Sequence, residues 1–579
     1  MNEQVFKERI SRREFLTAGG VSLAGLTLAC GGGRAIENVV APTQAGAPVN
    51  PGSGSETLLF NGKVVTVDPS GTTTQAVLVR DGLIHAIGRD KELITQASES
   101  ARLIDLIGKT VTPGLIDPHV HFRVIGLDYL YFTPLLPPEV KDTQTLLNAI
   151  ANRVGELAQG EWMQGYYLVL QDNMFPDRYL LDTVSPNNPV FIMHIGGHWG
   201  SANSAAINAA GITASTPSPE GGVVEKDANG EPTGLFYNHR AMDLLRRVAP
   251  PITFDLVKQA ILNTQPLMAA CGVTSYQDNN VRGLEHIRAY QELAKEGKLT
   301  LRSTLYLTIE WLADMDKVGQ LELYQDGFSR IAGYKFLIDG QSPTAFCHQP
   351  HSGTRWDMPT WNPEEYKSVV KTLHDTGLQV CTHCIGDAAA DLAIDAYEGA
   401  MNANPRSDPR HRLEHAVLTT PQATPRLRDL GIIASTNPHF IFVGGDGYEN
   451  IFGVERMPRL MVTREWLDAG VHVTIGSDAP SVPFHHPAAT MSGAISRLTF
   501  SQNVIGAEQA LTFDEALRAH TIEAAYAAHE ETIKGSLEPG KLADLVVWEE
   551  DPGSLSIKEL ANTKQVNMTM VGGEIIHQL

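Results

Sequence analysis

Cysteine is scarce in this chain. There are five, Cys30, Cys271, Cys347, Cys381 and Cys384, among 579 residues. That is too few for a disulfide framework, so the fold must rest on packing. Positive charge is also short: 45 Lys and Arg stand against 66 Asp and Glu, a formal net charge of −21. A nucleic-acid binder needs a basic footprint, which this composition does not supply. A small-molecule substrate is not excluded, because the local field of a cleft can oppose the net charge. Charged residues make up 19% and hydrophobic residues 42%. This balance excludes long disorder beyond the first part of the chain and allows a large core and more than one domain. The oligomeric state stays open.

The apolar stretch from Thr17 to Ala29 falls short of the roughly 20 residues that span a bilayer. It follows Ser11-Arg12-Arg13-Glu14-Phe15-Leu16, which resembles a twin-arginine export signal, with Thr17 where a basic residue is usual. Leu26-Thr27-Leu28-Ala29-Cys30 then resembles a lipoprotein cleavage site, with Thr27 where a larger aliphatic residue is usual. Residues 1–30 are therefore expected to be a targeting segment. Residues 31–55, rich in Gly, Pro, Ala and Ser, read as a flexible tether. These resemblances imply the twin-arginine export machinery as a partner. They also imply a periplasmic enzyme or, if Cys30 is lipidated, one anchored on the outer side of the cytoplasmic membrane.

From Thr57 to Thr112 short β-like runs alternate with turns, including the hairpin signals Asn61-Gly62 and Asp81-Gly82. Ala543 to Trp548 and Val566 to Ile576 read the same way at the far end. Neither end makes a comfortable sheet domain alone, so residues 56–112 and 535–579 are expected to pair as one β-sandwich; two separate small sheets are the alternative. Residues 113–534 alternate apolar strands with helical stretches. The candidate strands are Val111–Asp117, Gly272–Asp278, Leu301–Thr308, Tyr334–Asp339, Leu378–His383, Arg412–Ala416, Gly431–Thr436 and His472–Asp478. Eight such units predict an α/β fold, a (β/α)8 barrel of the TIM type. The gap between the first two strands is too long for one loop and predicts an inserted subdomain at about 125–270, with strands such as Val190–His194.

The first barrel strand runs into Asp117-Pro118-His119-Val120-His121. Alternation along an extended chain turns both imidazoles to one side, which suits zinc or a similar borderline metal. Lys335, His383, His415 and Asp478 recur at the ends of later candidate strands. Functional groups of a barrel gather at the C-terminal strand ends, so these can converge. Cys381 and Cys384 flank His383 in a Cys-x-x-Cys, which suggests a redox pair or a zinc knuckle. On a strand, however, Cys384 faces away from His383, and packing cysteines are the favoured reading.

This set, with Gly535-Ser536-Leu537-Glu538-Pro539-Gly540-Lys541-Leu542-Ala543-Asp544-Leu545 near the C-terminus, resembles the metal-dependent amidohydrolases, in particular amidohydrolase family 3, the YtcJ-like branch. The resemblance covers almost all of the chain after the tether. It implies two divalent ions, zinc first among candidates. His119 and His121 would bind one and His383 and His415 the other, with carboxylated Lys335 as the bridge and Asp478 completing the site. Carboxylation requires a neutral amine, so the site must depress the Lys335 pKa; a buried or salt-bridged lysine, and a single metal, is the alternative. Gly196-Gly197-His198-Trp199-Gly200 resembles the family's substrate-side segment, with Gly197 where an Asp is usual. His198 would then meet the substrate carbonyl, with a role in closing the insertion's own fold as the alternative, and Trp199 would form a wall. His439, in Asn437-Pro438-His439-Phe440, reads as a structural histidine or a substrate contact. His374, His485 and His486 read as structural or surface histidines.

The implied activity is hydrolysis of a carbon–nitrogen bond, other than a peptide bond, in a small molecule, with Asp478 as the catalytic acid and base. The same chemistry would cleave an ester, a lactone or an N-formyl group. A non-catalytic exported binding protein on the same scaffold is the alternative of another class.

Overall fold

The computed structural model describes residues 56–579, apart from 137–138, 168–175, 309–326, 353–356 and 483–484. The export-signal, Cys30 and tether readings lie outside the described residues. No described helix is long and apolar enough to cross a membrane.

The centre of the molecule is an eight-stranded parallel sheet. Its strands, in chain order, are β1 (Leu115–Val120), β2 (Val273–Val281), β3 (Arg302–Thr308), β4 (Ser329–Leu337), β5 (Gln379–Cys384), β6 (Arg412–His415), β7 (Ile433–Thr436) and β8 (Val473–Ile475). Each pairs with the next, and β1 pairs with β2. The first and last strands meet through Asp478 N donating to His119 O at 2.7 Å and His121 N donating to Ala479 O at 2.9 Å. The sheet thereby curls into an α/β barrel of the TIM type. Helices such as Pro363–Asp375 and Asp387–Ala403 cover its outside. The former starts on Pro363 with the Asn362 side chain accepting from Glu364 N and Glu365 N, which satisfies donors the helix itself leaves open.

The first strand differs from its expected limits. The run expected as Val111–Asp117 is two strands, Thr110–Pro113 in the flanking sheet and Leu115–Val120 in the barrel. Gly114 marks the break: a Cβ there would lie 2.2 Å from Thr274 Oγ1, so only bare backbone fits as the chain passes from one sheet to the other. The fourth strand starts earlier than Tyr334, because Ser329 and Arg330 already pair with Ser303 and Thr304 of β3.

Thr110–Pro113 pairs antiparallel with Leu545–Trp548, which joins the two ends of the described chain in one six-stranded sheet. A four-stranded sheet from Glu56–Phe60, Ala76–Arg80, Leu83–Gly88 and Arg102–Asp105 packs on it. Leu59, Val77 and Ile84 of the smaller sheet share a buried core with Val111, Leu545, Val547 and Met570 of the larger. Between β1 and β2, a mixed six-stranded sheet runs from Thr133–Leu135 to Pro232–Tyr237 and includes Val190–His194. The helix Phe254–Ala270 then leads back into the barrel.

The barrel interior is polar. Arg412 on β6 is fully buried, and its Nε lies 2.6 Å from Glu414 Oε1. Its Nη2 donates to Pro118 O at 2.8 Å and to Ser435 Oγ at 3.0 Å, and its Nη1 donates to Gln277 Oε1. Burying a guanidinium is tolerable when it is paired, and Arg412 has Glu414 as its ion partner and uses both Nη1 and Nη2 as donors.

Candidate metal centre at the barrel mouth

Strand alternation explains how β6 serves the site. Arg412 and Glu414 point into the barrel, Leu413 points out into the core, and His415 leaves the strand with φ of 68°. Asp478, just beyond β8, also has a positive φ, 53°. Side chains other than glycine rarely adopt this region, at a cost of order 1–3 kcal/mol each, and such strain concentrates at functional sites.

The structure brings together His119, His415 and Asp478, whose ligand atoms all lie within 4.8 Å of one another. His121 Nε2 is 3.0 Å from Asp478 Oδ1, and His119 Nε2 is 3.4 Å from the same oxygen. Lys335 Nζ is 3.4 Å from His119 Nε2. The His383 ring packs 4.6 Å from that of His415, and the His198 ring 4.6 Å from that of His383.

Neighbouring groups orient the imidazoles. His119 Nδ1 lies 2.5 Å from Glu414 Oε2, so this nitrogen donates to the carboxylate and Nε2 keeps the lone pair. Asn437 Nδ2 donates to Gly476 O at 2.7 Å, which leaves Asn437 Oδ1 to accept from His415 Nδ1 at 2.7 Å. His415 therefore also keeps its lone pair on Nε2. His383 Nε2 lies 3.4 Å from Asp339 Oδ1, a carboxylate that also accepts from the backbone of Ile385, Gly386 and Phe346. Asp117, on β1, accepts from Ser477 N at 3.0 Å and Ser477 Oγ at 2.5 Å, and so clamps the turn that carries Asp478.

Burial keeps these imidazoles neutral. His119 and His383 are held well below the ordinary histidine value by burial first and by neighbouring positive groups second. His415 is pushed down to about 4 by burial. Burial opposes the charge on Glu414, but the Arg412 guanidinium and His119 keep its carboxyl well below the usual carboxylate range. Asp478 is likewise held down, against burial, by the hydrogen bond from His121 and the surrounding histidines. Burial lowers Lys335 from the ordinary lysine value, although Glu414 and Asp478 oppose it. Neutral imidazoles, an ionised carboxylate and a lysine shifted toward its neutral form make a donor set that fits divalent ions.

The three substrate-side candidates part company. His198 lines a cavity of about 320 Å³ that also reaches His121, between the barrel mouth and the inserted sheet. Trp199 does not line it. Its ring stacks on His194 at 4.5 Å and is buried in the insertion's own core with Leu135, Ile192 and Leu235. The physical reason is again alternation: on the strand Trp199–Ala202 the indole takes the apolar face of the sheet. His439 is also turned away from the expected contact. Buried at 2% exposure, it donates from Nε2 to Ser477 O at 2.8 Å and supports the Asp478 turn instead. Cys381 and Cys384 are free and buried, with thiol pKa values raised by burial, as packing cysteines should be.

Sequence reasoning missed Glu414, Arg412 and Asn437. Each was legible in principle as a polar residue on a short strand or at its end, but only the barrel shows what they hold.

Residues 102–577 match the Amidohydrolase family, and the chain belongs to it. It is thus a hydrolase acting on carbon–nitrogen bonds. The chain is 30% identical over 542 residues to the N-substituted formamide deformylase of Arthrobacter pascens, covering 90% of this chain and 98% of that protein. It is 28% identical over 537 residues to the putative amidohydrolase YtcJ of Bacillus subtilis strain 168, covering 89% and 98%. Among solved structures, it resembles an uncharacterized metal-dependent hydrolase from Pyrococcus horikoshii OT3. That likeness has a TM-score of 0.69 at 24% identity and covers 87% of this chain and 99% of the other.

Proposed function

We propose that this chain is a metal-dependent hydrolase that cleaves the amide-type carbon–nitrogen bond of a small molecule, with N-substituted formamides the first class to test. The observation that carries the reading is the fixed tautomers of His119 and His415, which direct both lone pairs through Nε2 while Glu414 and Asn437 hold the other nitrogens. His119, His121, His383, His415, Lys335, if carboxylated, and Asp478 would hold divalent ions, zinc by the chemistry of the set. Bound there, the ions would supply Lewis acidity and lower the pKa of a water. The choice of formamide rests on the likeness to the Arthrobacter deformylase.

Asp478 would take a proton from the attacking water and return it to the departing nitrogen, because an amine leaves poorly unless it is protonated. His121, 3.0 Å from its Oδ1, orients that carboxylate. His198, pushed down to about 3 by burial, is neutral and would donate to the substrate carbonyl. Asp478→Asn is expected to retain metal near the wild-type level and to lose turnover of an N-substituted formamide by orders of magnitude. Near-normal turnover would remove Asp478 from this role.

The export reading rests on Arg12-Arg13 and the apolar stretch that follows. Replacing both arginines with lysine should leave the protein in the cytoplasm on cell fractionation; unchanged export would refute it.

A further inference from the structure

The cavity beside His121 and His198 holds more positive charge than a neutral formamide needs. Arg123, Arg246 and Arg282 all line it, from three separate segments: the helix Phe122–Leu130 after β1, the insertion's helix Asn238–Arg246, and the loop after β2. We propose that these arginines form a subsite for an anionic substituent, so that the substrate is an amide or formamide bearing a carboxylate or sulfonate. The inference rests on the hydrolase reading above.

Three observations support the subsite. Arg123 is 2% exposed, and although its Nη2 donates to Asn280 O at 2.7 Å, its buried Nε has no acceptor among the described residues. A buried donor left unused costs free energy that an incoming anion would recover. Next, Arg282 donates from Nε to the neutral Asn280 Oδ1 at 2.6 Å, within the field of two other guanidinium groups. Among the described residues, three carboxylates stand near these arginines. Asp243 pairs with Arg246 at 2.9 Å, and Asp278 accepts from Tyr290 OH at 2.8 Å and Asn280 N at 3.0 Å. Asp128 also lines the cavity. Burial first, then Arg246 and Arg123, push Arg282 down to about 9 against Tyr166 and Asp243, and neighbouring arginines add to burial in holding His239 and His286 well below the ordinary histidine value. Finally, Leu127, Phe132, Met193 and Ile252 give the same cavity apolar walls for the rest of a substrate. Guanidinium groups on several sides of such a cavity suit a planar or tetrahedral oxyanion, which can accept from more than one of them.

The test uses the metal-loaded enzyme and two probes of equal size, benzenesulfonate and methyl phenyl sulfone, in titration calorimetry. A sulfonate is a poor metal ligand, so its binding reports the arginines rather than the metal. The wild type is expected to bind benzenesulfonate about tenfold or more tightly than the sulfone, and Arg282→Gln and Arg246→Gln should each remove most of that preference. Equal affinities in the wild type, which need no variant to measure, would overturn the proposal. So would a preference left intact in both variants. In parallel, N-formyl amino acids and their neutral methyl esters are compared by kcat/KM. Higher values for the anionic series support the subsite. Equal turnover of both series would refute it while leaving the hydrolase reading standing. No turnover of either series, with the sulfonate preference still present, would refute the formamide reading while leaving the subsite standing.

Discussion

His411 and His415 lie at opposite ends of one short strand and do different work. His411, just before β6, is tied at both nitrogens: Val380 N donates to its Nδ1 at 3.0 Å, and its Nε2 meets His374 Nδ1 at 2.8 Å. His374 passes the pattern on, donating from Nε2 to Asn404 O at 2.8 Å. That chain satisfies itself and has no lone pair left for a ligand. His415, at the C-terminal end, is held at Nδ1 by Asn437 and keeps Nε2 for the cluster with His119 and Asp478. Burial is equally complete at the two ends, so it is the hydrogen-bond partner that separates a histidine of the framework from one of the site.

Changes at each end should therefore have different consequences. The larger effect is expected from Glu414→Gln, which weakens the acceptor for His119 Nδ1 and strands the Arg412 charge. Metal affinity or turnover should fall by about 10–100-fold in a metal titration followed by an activity assay. Less than a twofold change would show that Glu414 merely pairs with Arg412. At the other end, His411→Leu leaves Val380 N and His374 Nδ1 without their partner. It should cost about 1–3 kcal/mol of stability in urea unfolding while turnover per folded molecule stays within a few-fold. A large loss of turnover with normal stability would erase the distinction between the ends.

The smallest effect is one of pH. His411 is pushed down to about 3 and His520 to about 4, both by burial first. An unfolded histidine titrates near 6.5, so below that pH the unfolded chain takes up protons that the folded chain refuses. Stability should be fully present above pH 6.5 and fall as the pH drops toward 4, by about 1.4 kcal/mol per pH unit for each such histidine. His411→Leu should flatten this slope in unfolding measured between pH 6.5 and 5; an unchanged slope would show that His411 does not contribute to it.

Much of the barrel was legible because its strands are apolar runs bounded by turns, and their C-terminal ends carry His119, Lys335, His383, His415 and Asp478. What was not legible depended on partners far apart in sequence. Glu414 looks like an ordinary acidic residue until β1 brings His119 Nδ1 to it. The segment around Trp199 resembles a substrate-side segment, and His439 in its sequence setting fits either a structural or a substrate role. The sheet's apolar face claims the first, and the carbonyl of Ser477 claims the second. The split of the first strand depended on Gly114 meeting Thr274, a contact between residues 160 positions apart that no local pattern reveals.

The most direct test is the metal content of the purified wild type, His415→Gln and His374→Gln, measured by elemental analysis after removal of loosely bound ions. The site described here predicts about two divalent ions per chain in the wild type and in His374→Gln, and a loss of at least one in His415→Gln, with turnover lost alongside it. Equal metal in all three proteins, or none in the wild type, would contradict it.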